Sequence, residues 1–427
     1  MTQPAQDASG AAVAIAPDNA LHTSTAAAQP AAAAAPSAPL RAGAADRPAA
    51  PDAPGTTWPH DFLSLPGIQR WIAGALTSSR GPVIPVRLAE VYEAKTRAVT
   101  ARFTVCASGT RREDVVFKAT LQPLFYYAPV VDRLVMRVCP EHVPELLAAE
   151  VLGGPTFFEG RPTTAIAPEM VDRQQRRLYS LYRPFSGPTV RSVLRAAAAG
   201  DSSALGAATE AVTAVSRAFA RIQAGVAEAP AAAKETIPRL PVAQLPVLYD
   251  DLLRRIEQQY LPRWLAGGDD YPDDLPEPRA ALAYLTSMRD AVAAWTDELA
   301  AGVWPETIDH IDLQPSNAVV TAGRGGGRVL IFDWEESFLT GPFFSVVQWM
   351  HRTGPCGAAA RDAYLDALPW GTRPQRERAL ELAELLHDIK DYHALEVIRD
   401  AEGFSGVLSR GSVRFIRRAL QAWSAAE

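Results

Sequence analysis

The residues of this 427-residue chain best suited to chemistry lie in one short run, His310-Ile311-Asp312-Leu313-Gln314-Pro315-Ser316-Asn317, and in Asp333 downstream of it. The spacing His-x-Asp-x-x-x-x-Asn sets a carboxylate on a loop and an amide at the head of an apolar strand, Ala318-Val319-Val320. A second apolar strand, Arg328-Val329-Leu330-Ile331-Phe332, delivers Asp333 at its end, a mount suited to a metal ligand. Two such strands can turn both acids and the amide toward one cavity. Phosphoryl transfer from ATP asks for this set. A carboxylate must orient or deprotonate the attacking hydroxyl, oxygen ligands must hold Mg²⁺ on the phosphates, and a cation must reach the phosphates from another side. Most of the catalysis is then positioning and charge stabilisation.

The cation has few candidates, because Lys occurs only at Lys95, Lys118, Lys234 and Lys390. Lys118 follows Val115-Val116-Phe117 on a predicted strand. The glycine-rich segment 322–327 joins two strands and opens no helix, so it reads as a hairpin turn and not as a phosphate loop. Residues 91–99 contain no glycine; a hairpin there could still bring Lys95 or Arg97 over the phosphates. His387 and His393 stand six apart, a spacing that does not share one helix face as zinc ligands would, so they read as a solvated face or a cleft wall. His351 reads as a packed helix residue.

The elements that must carry these groups follow from periodicity. Leu65, Ile68, Trp71, Ile72 and Leu76 have helical spacing over 62–76. Strands are predicted within 83–105 (Val99, Ala101, Phe103 and Val105 alternate), over 114–119 and over 178–182, with a helix at 129–138. Beyond Pro184 helical patterning dominates: 189–199, 203–224, 243–261 with Asp251 set to pair Arg254 and Arg255, 278–300, 360–368, 374–398 and 412–424. The short strands 318–321 and 328–332 interrupt this run. Residues 1–57 are Ala/Pro-rich with almost no large apolar side chains and predict a disordered tail. The expected plan is α+β: a β-rich N-terminal lobe over 58–183 that binds nucleotide, and a larger helical C-terminal lobe over 184–427 that holds the catalytic loop and acceptor pocket.

Composition narrows the classes. With 48% hydrophobic and 21% charged residues, the chain is that of an ordinary globular protein. A net charge of −6 with scattered Arg argues against a sequence-independent grip on nucleic acid. Cys106, Cys139 and Cys356 are far apart with no C-x-x-C pair, which predicts free thiols in a reducing compartment. No apolar stretch reaches the roughly 18–20 residues of a membrane span. The first residues lack the basic region and apolar core of a signal peptide, so a cytoplasmic location is expected.

The run 310–317, with Ile331-Phe332-Asp333-Trp334-Glu335 and Gly341-Pro342-Phe343-Phe344-Ser345, resembles the motifs of the aminoglycoside phosphotransferase/choline kinase-like family. The resemblance spans roughly 83–400 and is strongest over 310–345. It implies a protein-kinase-like fold and an ATP- and Mg²⁺-dependent kinase acting on a hydroxyl of a small molecule, such as an aminoglycoside, amino alcohol, sugar or natural product. By that resemblance Asp312 is the catalytic base, His310 buttresses its loop, Asn317 and Asp333 bind Mg²⁺, and Lys118 anchors the phosphates. The backbone of Leu181, Tyr182 and Arg183 would meet adenine at the hinge. The family pairs this Lys with a Glu on the next helix; the candidate here is Asp132, with Glu145 or Glu150 as alternatives if the helix is instead 143–152. Trp334, Glu335 and Glu336 stand where the family's acceptor pocket has acids, which would suit a cationic acceptor; surface Glu is the plainer reading. The missing glycines and the unusual Lys118 partner leave a second reading, a pseudokinase-like module that binds nucleotide or a partner without transfer. A protein-kinase activation segment is absent, since Asp333 is followed by Trp334-Glu335.

Overall fold

The computed structural model describes residues 63–64, 66–80, 83–94, 98–107, 111–120, 127–152, 177–199, 202–267, 275–321, 328–402 and 416–418. The expected tail at 1–57, the glycine-rich turn at 322–327, Lys95, Arg97, most of 412–424 and the side chain of His393 lie outside the described residues.

A five-stranded antiparallel sheet forms the first part of the fold. Its strands are β1 (Val83–Ala94), β2 (Ala98–Ala107), β3 (Arg111–Thr120), β4 (Leu146–Leu152) and β5 (Arg177–Tyr182), in the spatial order β1-β2-β3-β5-β4. The predicted alternation sets which face is dry. Val99, Ala101, Phe103 and Val105 of β2, with Val115, Phe117 and Ala119 of β3, are buried under helix α1 (Pro66–Arg80), whose Ile68, Ile72 and Leu76 cover them. Burying each large side chain contributes about 1.5–3 kcal/mol. Trp71 of α1 meets Phe117 and Tyr179 edge to face at 5.9 and 5.4 Å, and its Nε1 donates to Glu150 at 2.5 Å. With one face sealed, the period of two turns Thr100, Val116, Lys118, Ser180 and Tyr182 to the other face. The register sets Lys118 opposite both Thr100 and Ser180.

Helix α2 (Ala128–Val138) matches the expected helix, with Pro129 in its first turn. The alternative helix at 143–152 is corrected: Leu146–Leu152 is β4, paired along β5. Its Leu-Leu-Ala-Ala-Glu composition favours a helix, but the open edge of β5 outweighs so weak a local preference.

The second part is helical and has its own core. Helix α3 (Val190–Ala198) starts on Thr189, whose hydroxyl accepts the Ser192 amide at 3.2 Å, an N-cap. Helix α4 (Ser202–Glu228) buries Val212, Val215, Phe219 and Ile222 completely, the stripe its spacing predicts. Helix α5 (Leu245–Arg255) carries Asp251 paired with Arg254 and Arg255 and runs into a π-turn at Ile256–Tyr260. The single helix expected over 278–300 is two, α6 (Pro278–Ser287) and α7 (Arg289–Ala300), joined at Met288. Two small antiparallel pairs follow: β6 (Thr307–Asp309) with β9 (Phe338–Thr340), and β7 (Ala318–Thr321) with β8 (Arg328–Ile331). Helices α8 (Phe344–Arg352), α9 (Gly357–Ala367) and α10 (Arg373–Glu402) follow, with one further helical turn described at 416–418. Among the described residues no helix is long and apolar enough to cross a membrane.

Candidate active site

The β6–β9 and β7–β8 pairs present the chemistry-bearing run on a short, tightly bonded loop. His310 is wholly buried, and its amide donates to Ser345 Oγ at 2.9 Å. Its Nε2 lies 3.0 Å from the Phe332 carbonyl; a carbonyl only accepts, so Nε2 carries the proton. Burial holds this imidazole below its ordinary pKa, and Nδ1 has no hydrogen-bond partner among the described residues. The ring also packs on Trp334, with centroids 4.4 Å apart. His310 therefore ties the loop to the residue that precedes Asp333. This is a structural contact, made by a neutral side chain.

Asp312 and Asn317 are joined directly. Asn317 Nδ2 donates to the Asp312 carbonyl at 3.0 Å and to Asp312 Oδ2 at 2.9 Å, and Gln314 Nε2 reaches the same Oδ2 at 2.6 Å. The Asn317 amide nitrogen is thus committed, and its Oδ1 is left as an acceptor, met by the Ser316 hydroxyl at 3.4 Å. The Phe332 amide donates to the Asn317 carbonyl at 3.0 Å, bringing the start of β7 beside the end of β8. Three non-glycine residues take left-handed backbone conformations here: Ile311 (φ 57), Asp333 (φ 71) and Phe343 (φ 87). Each costs about 1–3 kcal/mol and persists because its surroundings enforce it, a pattern concentrated at functional sites.

Lys118 meets this group from the sheet. Its Nζ lies 2.5 Å from Asp333 Oδ1 and 2.8 Å from Glu335 Oε2. Burial opposes its charge, but Asp333 and Glu335 outweigh it and hold the amine well above its ordinary pKa. Asp132 of α2 accepts from Tyr182 Oη at 2.8 Å and forms no ion pair with Lys118 among the described residues. Burial raises its carboxyl to about 7, against the opposing pull of Tyr182 and Lys118. The other candidate partners are engaged elsewhere: Glu145 with the guanidinium of Arg183, and Glu150 with Trp71. Glu336 is likewise raised to about 8, by burial first and then by the negative charges of Glu335, Asp312 and Asp333.

A cavity of about 540 Å³ opens beside these groups, lined in part by Lys118, Asp132, Tyr182, Asp333 and Glu335. Val116, Leu178, Phe185, Val319 and Phe332 give it apolar walls, with Phe185 and Phe332 in ring contact at 5.3 Å. Asp312 and Asn317 are not among its lining residues; Asn317 is joined to the lining residue Phe332 through its carbonyl. Of the three expected hinge residues only Tyr182 lines the cavity. Leu181 is paired on both sides within the sheet, and the Arg183 amide is taken by the Glu145 carbonyl at 2.9 Å, so neither of those amides faces the cavity. The lining after Tyr182 comes instead from Phe185, Ser186 and Gly187.

Sequence reasoning missed three parts of the site. Glu335 is an ion-pair partner of Lys118, and only its nearness to Asp333 could have suggested this. Gln314 holds the Asp312 carboxylate from within the motif itself. Lys390 and His387 are buried, at 0% and 3% exposure, where a solvated face or cleft wall was expected for His387. The signal was legible: Ala383, Leu386, His387 and Lys390 share one helical stripe. His351, expected to pack, is instead part-exposed and bonded to Glu384 at 2.9 Å. Cys139, Glu141 and His142 converge closely enough to share an ion. There, however, Arg221 already lies 3.2 Å from His142 Nε2, and burial pushes the Cys139 thiol up to about 12.

No family model matches the chain, and no curated protein matches it. Similar solved structures include an ethanolamine kinase from Plasmodium vivax (9% identity, 79% of this chain and 81% of that one, TM-score 0.45). A choline/ethanolamine kinase family protein from Mesorhizobium loti aligns at 13% identity over 86% of this chain and 95% of that one, with a TM-score of 0.44. A thermostable mutant of an aminoglycoside phosphotransferase, solved with ADP and hygromycin B, aligns at 15% identity over 82% and 98%, with a TM-score of 0.36. Every one of these scores is below 0.5, so the functional reading rests on the geometry of the site.

Proposed function

We propose that this protein is an ATP- and Mg²⁺-dependent phosphotransferase that moves the γ-phosphate to a hydroxyl of a small molecule, on a two-lobed protein-kinase-like fold divided near residues 183–184. The observation that carries the reading is the meeting of Lys118 with Asp333 at the wall of a cavity, while Asn317 is bonded both to Asp312 and to Phe332 of that wall. A cation, hard oxygen donors and a carboxylate from two separate parts of the chain are the groups that phosphoryl transfer requires. The apolar walls suit a flat base, and Lys118 suits the phosphates.

The donor set fits magnesium. Asp333 offers carboxylate oxygens, and Asn317 offers Oδ1 because its nitrogen is occupied by Asp312. Bound there, Mg²⁺ would neutralise phosphate charge as it develops. Lys118 would exchange its carboxylate partners for phosphate oxygens. Asp312 would accept the proton of the acceptor hydroxyl, held in orientation by Gln314 and Asn317. The acid Glu335 suits an acceptor that carries amines, in keeping with the aminoglycoside and amino-alcohol classes, whereas Glu336, raised to about 8, holds its proton near pH 7.

The test is nucleotide consumption against a library of hydroxyl acceptors, with Asp312→Asn and Asp333→Ala as controls. Loss of a positioned general base costs about 10²–10⁴-fold, so turnover should fall at least 100-fold in Asp312→Asn while Mg·ADP still binds. Wild-type turnover in both variants would sink the assignment. A second reading, a module that binds nucleotide without transfer, draws on the absence of an ion pair between Lys118 and α2 among the described residues. It predicts a nucleotide-induced thermal shift that does not depend on Mg²⁺, with no ADP release.

A further inference from the structure

A buried ion pair reaches the catalytic loop from the far end of the chain. Lys390 Nζ lies 3.2 Å from Asp309 Oδ2 and 2.9 Å from Asp391 Oδ1; Lys390 is 0% and Asp309 1% exposed. Asp309 closes β6 and directly precedes His310. Its other oxygen, Oδ1, accepts from the Ile311 amide at 3.1 Å and from the hydroxyl of Ser345. That same hydroxyl oxygen accepts the His310 amide. Two successive loop amides are therefore gathered, one directly and one through Ser345, on a single carboxylate oxygen. Between them and Asp312 the chain makes its left-handed step at Ile311. A β-branched residue holds that conformation only when its neighbours enforce it.

A carboxylate this deep is costly to bury unless it is paired. Lys390 supplies the pair, since it sits on the oxygen that the loop does not use. Its charge serves no surface role, and neither it nor Asp309 lines the cavity. We propose that Lys390 is a positioning residue for the phosphotransfer centre: through Asp309 and Ser345 it fixes the left-handed turn that aims Asp312. The kinetic consequence rests on the phosphotransferase reading; the consequence for the loop rests on geometry alone.

The experiment compares full-length wild type, Lys390→Met and the double variant Asp309→Asn/Lys390→Met. The double variant leaves no buried charge at Asp309, and Asp391 is part-exposed with His387 Nδ1 3.5 Å away, so it guards against loss of folding. Two quantities are read: amide hydrogen exchange over residues 310–317, and Asp312-dependent hydrolysis of Mg·ATP with its kcat and KM. Exchange in this segment should quicken by about tenfold or more in both variants, as expected when a buried ion pair that holds the loop is lost. Hydrolysis kcat should fall by about tenfold or more, with KM for Mg·ATP unchanged within about twofold. A pair that merely staples α10 to β6 predicts the opposite: unchanged exchange at 310–317 in the folded double variant, and a kcat that falls only with the folded fraction. That result overturns the proposal. Should the wild type neither bind Mg·ADP nor hydrolyse ATP, the phosphotransferase reading fails. Exchange then decides alone: protection kept at 310–317 overturns the proposal, and protection lost supports it.

Discussion

On the proposed reading, Lys118 and Mg²⁺ compete for Asp333 in the nucleotide-free protein, and that competition has a measurable sign. The amine occupies Asp333 and Glu335 together, with side-chain exposures of 19% for Lys118, 32% for Asp333 and 27% for Glu335. An exposed ion pair contributes about 0–1 kcal/mol, and breaking a buried one costs about 3–5 kcal/mol. These part-buried pairs fall between, so displacing the amine from Asp333 costs about 2 kcal/mol. A cation that binds Asp333 in the absence of nucleotide must supply that energy. Replacing Lys118 with Met removes the competitor and leaves two carboxylates facing each other. The variant should therefore bind Mg²⁺ alone roughly 30-fold more tightly than wild type, the equivalent of about 2 kcal/mol. Its turnover with Mg·ATP should nevertheless fall, because the phosphates lose their cation. Thermal unfolding at increasing MgCl₂, with no nucleotide, measures the first effect; ADP release measures the second. Equal or weaker Mg²⁺ binding in Lys118→Met would refute the reasoning, since Asp333 would then not be a shared ligand.

Two further outcomes follow from the same wall of the cavity. Asp132 and Glu336 have carboxyls raised to about 7 and about 8, so the folded protein keeps protons that the unfolded chain releases above about pH 4. Their contribution to stability is therefore greatest near pH 4 and is lost as pH rises through 7 to 8; Asp132→Asn/Glu336→Gln should raise the Tm at pH 8 and leave it unchanged at pH 4. Gly187 has φ +150, and a Cβ there would lie 2.0 Å from the Val320 carbonyl oxygen. Gly187→Ala must push β7 away with Asn317 at its head, which should cost about 2 kcal/mol in urea unfolding and weaken Mg·ADP binding about tenfold.

What the sequence revealed and what it hid have separate physical causes. The alternation in β2 and β3 and the stripe on α4 were legible because one face of each is dry, and burial imposes a period that composition must obey. The His310–Asn317 run was legible because its residue types are few and their spacing is fixed by a short loop. β4 was hidden, because Leu146-Leu-Ala-Ala-Glu150 carries no strand signal; its strand form comes from the partner β5, which lies beyond a long segment in the chain. Lys118's carboxylates were sought on the following helix, yet they come from residues 333 and 335, a contact that only the closed fold creates. Of the residues expected at the hinge, Tyr182 reaches the cavity wall, while the Arg183 amide is used by the Glu145 carbonyl, a pairing that the sequence does not reveal.

The bonding of Asp312 narrows which of its oxygens can act. Oδ2 accepts both the Gln314 and Asn317 amides, at 2.6 and 2.9 Å, so its lone pairs are committed. If Asp312 is the base proposed above, the proton of an acceptor hydroxyl goes to Oδ1. The orientation is fixed from further away, because Gln314 Oε1 accepts from Arg191 of α3 at 2.9 Å and from Arg352 of α8 at 3.4 Å. Two guanidinium groups polarise the Gln314 amide, which strengthens its donation to Asp312. The carboxylate is thus aimed before any acceptor arrives, and the entropy of aiming it is not charged to the reaction step. Lys390 acts on the loop through Asp309 and the two arginines act on it through Gln314. The geometry of Asp312 is therefore held from both of its flanks by charges that never touch the reacting atoms.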